Sequence, residues 1–333
     1  MKTAIVILNW NGQKLLEQFL PSVVNFSSNE ATVYIADNSS SDSSIDFIKA
    51  FYPEVRIIQN SINGGYAKGY NDALQHIEAD IYCLLNSDIE VTENWLTPVL
   101  EVFNREENTA IIQPKLLDFK DKGKFEYAGA AGGFIDVFGY PYCRGRVFND
   151  LEIDTGQFND ITNVFWASGA CLFIRSKQYH ELGGFDEDYF AHQEEIDLCW
   201  RIKNLGYDIK YVGTSTVYHI GGATLQETNP QKTFLNFRNS LFNVVKNVPK
   251  KRWIIIVISR LLLDGIAGIK FIIELRPIHT WAILKAHVSF YKNLFKFLKK
   301  RKSTKEKVSG YCKHTSIVWQ YFFLKRTKFN QLR

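Results

Sequence analysis

The sequence predicts an α/β fold, a mixed sheet flanked by helices, with an amphipathic helical segment appended at the C-terminal end. Three observations carry this. Short strands that are apolar on both faces alternate with amphipathic helices through the first hundred residues, the pattern of parallel strands covered on both sides. Polar residues cluster at the strand ends: Asn9, Asp37, Asn60 and Asn86–Asp88, where open α/β sheets bind ligands. Beyond about Pro230 the strand pattern stops and helical, basic sequence takes over.

In chain order, Ala4–Asn9 reads as a strand and Gln13–Val24 as a helix with Leu15, Leu16, Phe19 and Leu20 on one face. Thr32–Asp37 is the second strand. Ser41 or Asp42 caps a helix to about Phe51, Arg56–Gln59 is a third strand, Gly65–Ile77 a helix and Ile81–Leu85 a fourth strand. The stretch from Asp118 to Asp160 is rich in Gly and aromatics without clear periodicity, and reads as loops and irregular strands beside an acceptor groove. A strand over Phe165–Ile174, a helix over Ser176–Leu182, a helix over Glu194–Leu205 capped by Gly206, and a strand over Ile209–Val212 follow. Two domains are expected: a catalytic domain over 1–230 and a basic helical region over 231–333.

Composition is ordinary for a globular chain of 333 residues, 46% hydrophobic and 23% charged. The net charge of +5 hides an asymmetry. Residues 1–245 carry 19 Lys+Arg against 32 Asp+Glu, while residues 246–333 carry 21 against 3. Such a tail calls for an acidic partner. Within it, Trp253–Leu275 is long enough to suggest a membrane span. Arg260, Asp264, Lys270 and Glu274 fall on one third of its wheel, which fits a helix in the membrane interface or packed on the body. Phe290–Lys302 mixes aromatics with Lys and Arg, and reads as a lipid-binding run or as a solvated helix closing over the core. No nucleic-acid recognition motif accompanies these charges, so an anionic membrane surface is expected and nucleic acid is not. Five cysteines without CxxC or Cys/His spacing argue against a disulfide framework and a zinc site. The apolar run Ala4–Leu8 is too short for a signal peptide. A cytoplasmic location, peripheral on the inner face of the cell membrane, is expected.

Three segments carry chemistry. Asn86-Ser87-Asp88 presents hard oxygens just past a buried strand, suited to Mg²⁺ or Mn²⁺ completed by substrate phosphates, although the same residues also make plain turns. Asn63-Gly64-Gly65-Tyr66 opens a helix, where backbone amides can approach a diphosphate, or where the glycines simply permit a tight turn. It is neither a Walker A loop nor GxGxxG. Glu194, Glu195 and Asp197 share one helical turn, which suits the helix dipole but exceeds what capping needs, and offers a base for an acceptor hydroxyl. Arg201 stands four residues after Asp197, within reach of an ion pair. His219 follows a strand and precedes Gly221 and Gly222, as a structural histidine or a further metal ligand.

Taken in order, Val6–Gly12, Ala36–Ser40, Asn63–Tyr66, Leu85–Asp88, Ser168–Ala170, Gly183–Asp186, Glu194–Asp197 and His219 resemble family-2 glycosyltransferases of the GT-A fold, a Rossmann-like nucleotide-diphospho-sugar transferase architecture. The nearest likeness within that family is to bacterial rhamnosyltransferase-like enzymes. The resemblance implies an inverting transfer of rhamnose or another hexose from a nucleotide-diphosphate donor, with Mg²⁺ or Mn²⁺, onto a glycan or lipid-linked acceptor in cell-surface polysaccharide assembly. It implies donor binding by Asn9, Asn11, Asp37, Asn38, Asn63, Gly64, Gly65, Asn71, Asn86, Ser87 and Asp88, with metal at Asp88 and His219. Glu195 is the expected base, Glu194 its alternative and Asp197 a third catalytic carboxylate; Trp166, Gly169 and Arg201 lie on the acceptor side. Asn86 stands where the family usually has the first Asp of DxD, and Glu194-Glu195 replaces the usual Glu-Asp pair. The rival readings are a glycoside hydrolase using the same carboxylates, which needs a suitably spaced pair and no metal, and a membrane-associated scaffold with a degenerate site.

Overall fold

The computed structural model describes residues 1–221, 229–302 and 308–333; Gly222 lies outside them. Four parallel strands open the chain: β1 (Thr3–Asn9), β2 (Thr32–Asp37), β3 (Arg56–Gln59) and β4 (Ile81–Asn86). Helices α1 (Gln13–Ser27), α2 (Ser44–Phe51) and α3 (Gly65–Leu74) connect them. The chain continues through β5 (Ile89–Val91), α4 (Thr97–Arg105) and β6 (Thr109–Asp118). A small antiparallel sheet follows, of β7 (Gly133–Ile135), β8 (Pro141–Cys143), β9 (Arg146–Val147) and β10 (Asp150–Leu151). Next come β11 (Ile161–Asn163), β12 (Cys171–Arg175), α5 (Ser176–Glu181), α6 (Glu194–Asn204) and β13 (Asp208–His219). Three long helices follow, α7 (Pro230–Asn247), α8 (Arg252–Ile273) and α9 (Pro277–Lys302), and short helical turns at Trp319–Phe323 and Phe329–Gln331 lie beyond them.

The main sheet runs β11-β13-β6-β12-β4-β1-β2-β3, with β5 beside β13. It is mixed because β12 lies antiparallel between β4 and β6. Two hydrophobic layers cover it. One contains Leu16, Leu20, Val99 and Val102, and the other Tyr70, Leu198, Trp200 and Leu241. Burial on both faces explains why the strands read as continuous apolar runs.

Two strands differ from their sequence reading. The expected strand at Phe165 begins only at Cys171, because Trp166 turns away to bridge Gly133 and Ser168 N–H donates to the Gln113 side chain. The expected strand Ile209–Val212 continues to His219. A register shift between Val212 and Thr216 absorbs Gly213-Thr214-Ser215, the three residues that hide the strand's continuity in the sequence.

Candidate active site

At the carboxyl ends of β1 and β2, Asn9 Nδ2 donates to Asp37 Oδ1 at 3.2 Å, and Ser40 N–H donates to Asp37 Oδ2 at 3.1 Å. Asp37 is thus a buried brace between two strand-end loops. Asn11, exposed at the tip of the first loop, accepts Ser41 N–H at 2.7 Å. A second tier joins Asn38 Nδ2 to Asn63 Oδ1 at 2.9 Å and Asn60 Nδ2 to Asn38 Oδ1 at 3.2 Å.

This tier corrects the reading of the Gly64–Gly65 turn. Gly65 N–H is spent on Asn63 Oδ1 and Tyr66 N–H on Phe190 O, so neither amide is free for a phosphate. Gly65 has φ +78°, and a Cβ there would lie 2.8 Å from Phe190 O. Its glycine serves close packing of α3 against the 190 loop. Asn71 also departs from expectation. Its Oδ1 accepts Phe185 N–H and the Tyr179 hydroxyl, and its Nδ2 donates to Phe185 O. It holds the Gly183–Phe185 turn, with its amide spent on these partners.

Asp88 sits in the turn between β4 and β5. Ladder pairing sets His219 opposite Ile89, one residue from Asp88, and His219 Nε2 lies 3.1 Å from Asp88 Oδ1. The other ring nitrogen, Nδ1, lies 3.2 Å from Glu126 Oε1. Glu126 arrives from the loop after β6, held where its N–H donates to Leu116 O and its Oε2 accepts Ala128 N–H. Burial alone would depress the His219 pKa, but the Glu126 charge and the contacts with both carboxylates lift it to about 10. Glu126 has no signal in the sequence. Its position depends on a return pairing onto β6 inside the aperiodic stretch.

Asn86 and Ser87 line the same edge, half-buried, with Asn86 N–H on Ala170 O at 2.9 Å. The hydroxyl of Tyr66 donates to the next carbonyl back, Gly169 O, at 2.6 Å. Gly169 in turn faces Glu195: a Cβ on it would lie 3.8 Å from the Glu195 Cβ. The Gly169–Ala170 segment therefore touches both Asn86, two residues before Asp88, and Glu195 at the head of α6.

The loop entering α6 is conformationally costly. Phe190, His192 and Gln193 all have positive φ, 66°, 67° and 73°, a region that non-glycine residues enter at a penalty. Helix α7 holds it. Asn239 Nδ2 donates to the carbonyls of Tyr189, Ala191 and His192, and Asn243 Nδ2 to that of Gln193. Neither asparagine is marked in the sequence. They present Glu194 and Glu195, each with one buried carboxylate oxygen lacking a hydrogen-bond partner. Burial, reinforced by the Glu195 charge, raises Glu194 well above the carboxylate range, and burial lifts Glu195 to about 7.

Asp197 corrects the expectation of a third catalytic carboxylate. It is fully buried and accepts from Arg201 Nε at 2.7 Å, Lys246 Nζ at 2.8 Å and Asn247 Nδ2 at 2.9 Å. Though burial opposes it, these partners hold the carboxyl well below its usual range. Both oxygens are engaged, so Asp197 ties α6 to α7. Arg201, also placed on the acceptor side, is buried and donates to Leu182 O and Gly184 O. Trp166 is a core residue too, its Nε1 donating to Phe134 O.

The family model described as glycosyl transferase family 2 matches residues 4–182. The chain belongs to that family. A curated relative of this glycosyltransferase is the N-acetylglucosaminyl-diphospho-decaprenol L-rhamnosyltransferase of Mycobacterium tuberculosis, 25% identical over 234 residues that cover 65% of this chain and 75% of the relative. Another is the low-salt glycan biosynthesis hexosyltransferase of Haloferax volcanii, 21% identical over 71% of this chain and 73% of that protein. Among solved structures, GalNAc-T7 with UDP, GalNAc and Mn2+ superposes with a TM-score of 0.66 at 14% identity, covering 98% of this chain and 57% of that one. The architecture is therefore GT-A-like.

In this glycosyltransferase the donor set for a divalent cation is open. Among the described residues no three His, Cys, Asp or Glu side chains form a closed cage. Asp88 and His219 offer one oxygen and one nitrogen side by side, and Glu126 backs the far ring nitrogen, as outer-shell carboxylates back metal-binding histidines. Such a pair would suit a cation that takes its other ligands from phosphate and water.

Proposed function

We propose that the enzyme transfers rhamnose or another hexose, with inversion, from a nucleoside-diphosphate donor to a glycan or lipid-linked acceptor in cell-surface polysaccharide assembly. What supports this reading is the Gly169–Ala170 segment, which touches Asn86 on the strand end that leads to the Asp88–His219 pair and, on its other side, the raised carboxylate Glu195. The GalNAc-T7 neighbour holds UDP and Mn2+, which supports the same ligand classes here.

Asn9, Asn38 and Asn63 form a preorganised wall for the nucleotide, with Asp37 fixing its shape. Asp88 and His219 would hold Mg²⁺ or Mn²⁺, which would supply positive charge to the diphosphate. Glu126 fixes the His219 ring through Nδ1, with Nε2 turned toward Asp88. Glu195 takes the proton from the acceptor hydroxyl as that oxygen attacks the anomeric carbon; the bond from that carbon to the phosphate oxygen breaks, and the nucleoside diphosphate leaves with the electron pair. Glu194 lies deeper, and its charge-opposing surroundings keep the pair from ionising together. We place the protein at a membrane surface, with residues 1–230 as the catalytic part and 231–333 as the associating part; α7 serves both.

Screening a panel of nucleotide sugars with Mn²⁺ tests this reading. Hydrolysis or transfer with one donor, lost on chelation and in Asp88→Asn, is the expected result. Activity that survives chelation would point to a hydrolase, and absence of any nucleoside-diphosphate binding to a scaffold.

A further inference from the structure

Helix α8 is built inside out. Two of its charged residues point inward: Arg260 Nε and Asp264 Oδ1 pair at 3.0 Å, His287 Nε2 of α9 lies 3.0 Å from Asp264 Oδ2, and the Tyr140 hydroxyl donates to Asp264 at 2.8 Å. Arg260 also donates to Ser240 and stacks 4.0 Å from the Tyr140 ring centroid. The body thus captures the Arg260 and Asp264 half of the charged stripe, while Lys270 and Glu274 stay exposed and the opposite, apolar stripe is left outside. Ile255, Ile258, Leu262, Ile266, Ile269 and Ile273 are all exposed, from 57% to 75%. They recur at helical spacing along 22 residues, a length of about 33 Å. An apolar strip of this extent marks an interaction surface.

We infer that this face docks onto an anionic lipid bilayer, with α8 lying flat in the interface. Charge identifies the occupant. Lys250, Lys251 and Arg252 are exposed at the head of α8, and Lys270, Lys285 and Lys292 flank the strip and its continuation on α9. Among the described residues from 246 onward, Glu274 is the single exposed acid. A second copy would set one strongly cationic surface against another, which is unfavourable. Exposed Trp281 and Tyr291 on α9 suit the headgroup boundary. No described helix is long and apolar enough to cross a membrane, which agrees with a flat orientation. The basic run at 290–302 is not the primary contact. Phe290 and Phe297 are buried, Phe297 stacking 3.7 Å from Phe242, and Lys296 and Lys300 pair with Asp186 and Asp188.

The hairpin of α8 and α9 is joined to the body near Glu126: the buried His279, in the first turn of α9, pairs with Thr233 at 2.8 Å, and Lys232 beside Thr233 sits 6.0 Å from the ring centroid of Tyr127, the neighbour of Glu126.

This deepens the membrane-side placement proposed above, and vesicle binding is read without sugar transfer, so each reading can fail alone. The full chain should co-sediment with phosphatidylcholine vesicles containing phosphatidylglycerol. The triple variant Ile258→Glu, Leu262→Glu, Ile269→Glu, at exposed positions, should weaken that partition on the order of tenfold or more with an unchanged melting midpoint. A second variant, Lys251→Glu with Arg252→Glu, should lower the dependence on phosphatidylglycerol. No partition of the wild type, partition untouched by the triple variant, or a solution dimer that the triple variant dissociates would each overturn the inference.

Discussion

The side-chain amide of Asn239 donates to the carbonyl of His192 at 2.7 Å, joining the middle of α7 to the left-handed step before α6. Strain of about 1–3 kcal/mol at each such residue persists only where surrounding contacts impose it, and Asn239 supplies three of them. Asn239→Ala should therefore cost about 1–3 kcal/mol of stability and lower turnover more than donor affinity, because Glu194 and Glu195 move while the strand-end loops stay. Denaturant unfolding, calorimetric donor binding and steady-state rates measured together would decide it; equal losses in binding and turnover would contradict it.

Glu126 acts through His219, so its substitution should be graded. Asp88→Asn and His219→Ala should abolish measurable Mn²⁺ affinity in the presence of nucleoside diphosphate. Glu126→Ala should weaken it about 10–100-fold, and Glu126→Gln less, since the amide oxygen still accepts from the Nδ1 proton. Mn²⁺ titration followed by electron paramagnetic resonance gives the order directly. An unchanged affinity in Glu126→Ala would remove the positioning role.

The Glu195 carboxyl, lifted to about 7 by burial, must be ionised to accept a proton. Turnover should consequently rise about tenfold per pH unit below 7 and level off above it. Glu195→Gln should remove the activity and leave donor binding intact. The stability effect runs the opposite way. A carboxyl with a raised pKa favours the folded state most when protonated, so this contribution fades as pH climbs from the ordinary carboxylate range through about 7. A pH profile without an ascending limb near 7, or retained turnover in Glu195→Gln, would reassign the base, with Glu194 next in line.

Sequence periodicity located β1 to β4 because each strand is local, apolar on both faces and closed by turn residues. The motif residues Asn9, Asp37 and Asp88 do fall at such strand ends. It did not separate residues that face a ligand from residues that hold the frame. Asn71, Asp197 and Arg201 have the polarity of site residues, yet each is consumed by partners distant in sequence: the 183–185 turn, Lys246 and Asn247, and the Leu182 and Gly184 carbonyls. Glu126 and Asn239 were invisible for the converse reason. Their roles arise from a loop returning onto β6 and from α7 crossing α6, contacts that leave no periodic trace. The wheel at 253–275 grouped Arg260 and Asp264 correctly but not their direction, since the partners that pull them inward, Tyr140, Ser240 and His287, stand 20 or more residues away.

The inward charges of α8 make a separate prediction about stability. Asp264→Ala would leave Arg260 and His287 buried without their carboxylate, at a cost of about 3–5 kcal/mol, because removing one partner strands the others in a dry environment. The loss should stay local. Asp88, His219 and the asparagine tiers rest on the sheet, so nucleoside-diphosphate binding should survive while the α8–α9 hairpin opens and trypsin gains access at Arg276. Replacing the cluster together, with Arg260→Met, Asp264→Leu and His287→Leu, should recover much of the stability, since apolar packing of similar volume often matches a buried ion pair. If Asp264→Ala melted the whole chain in one transition and abolished nucleotide binding with it, the hairpin would be part of the catalytic core's folding unit and not a platform attached to it.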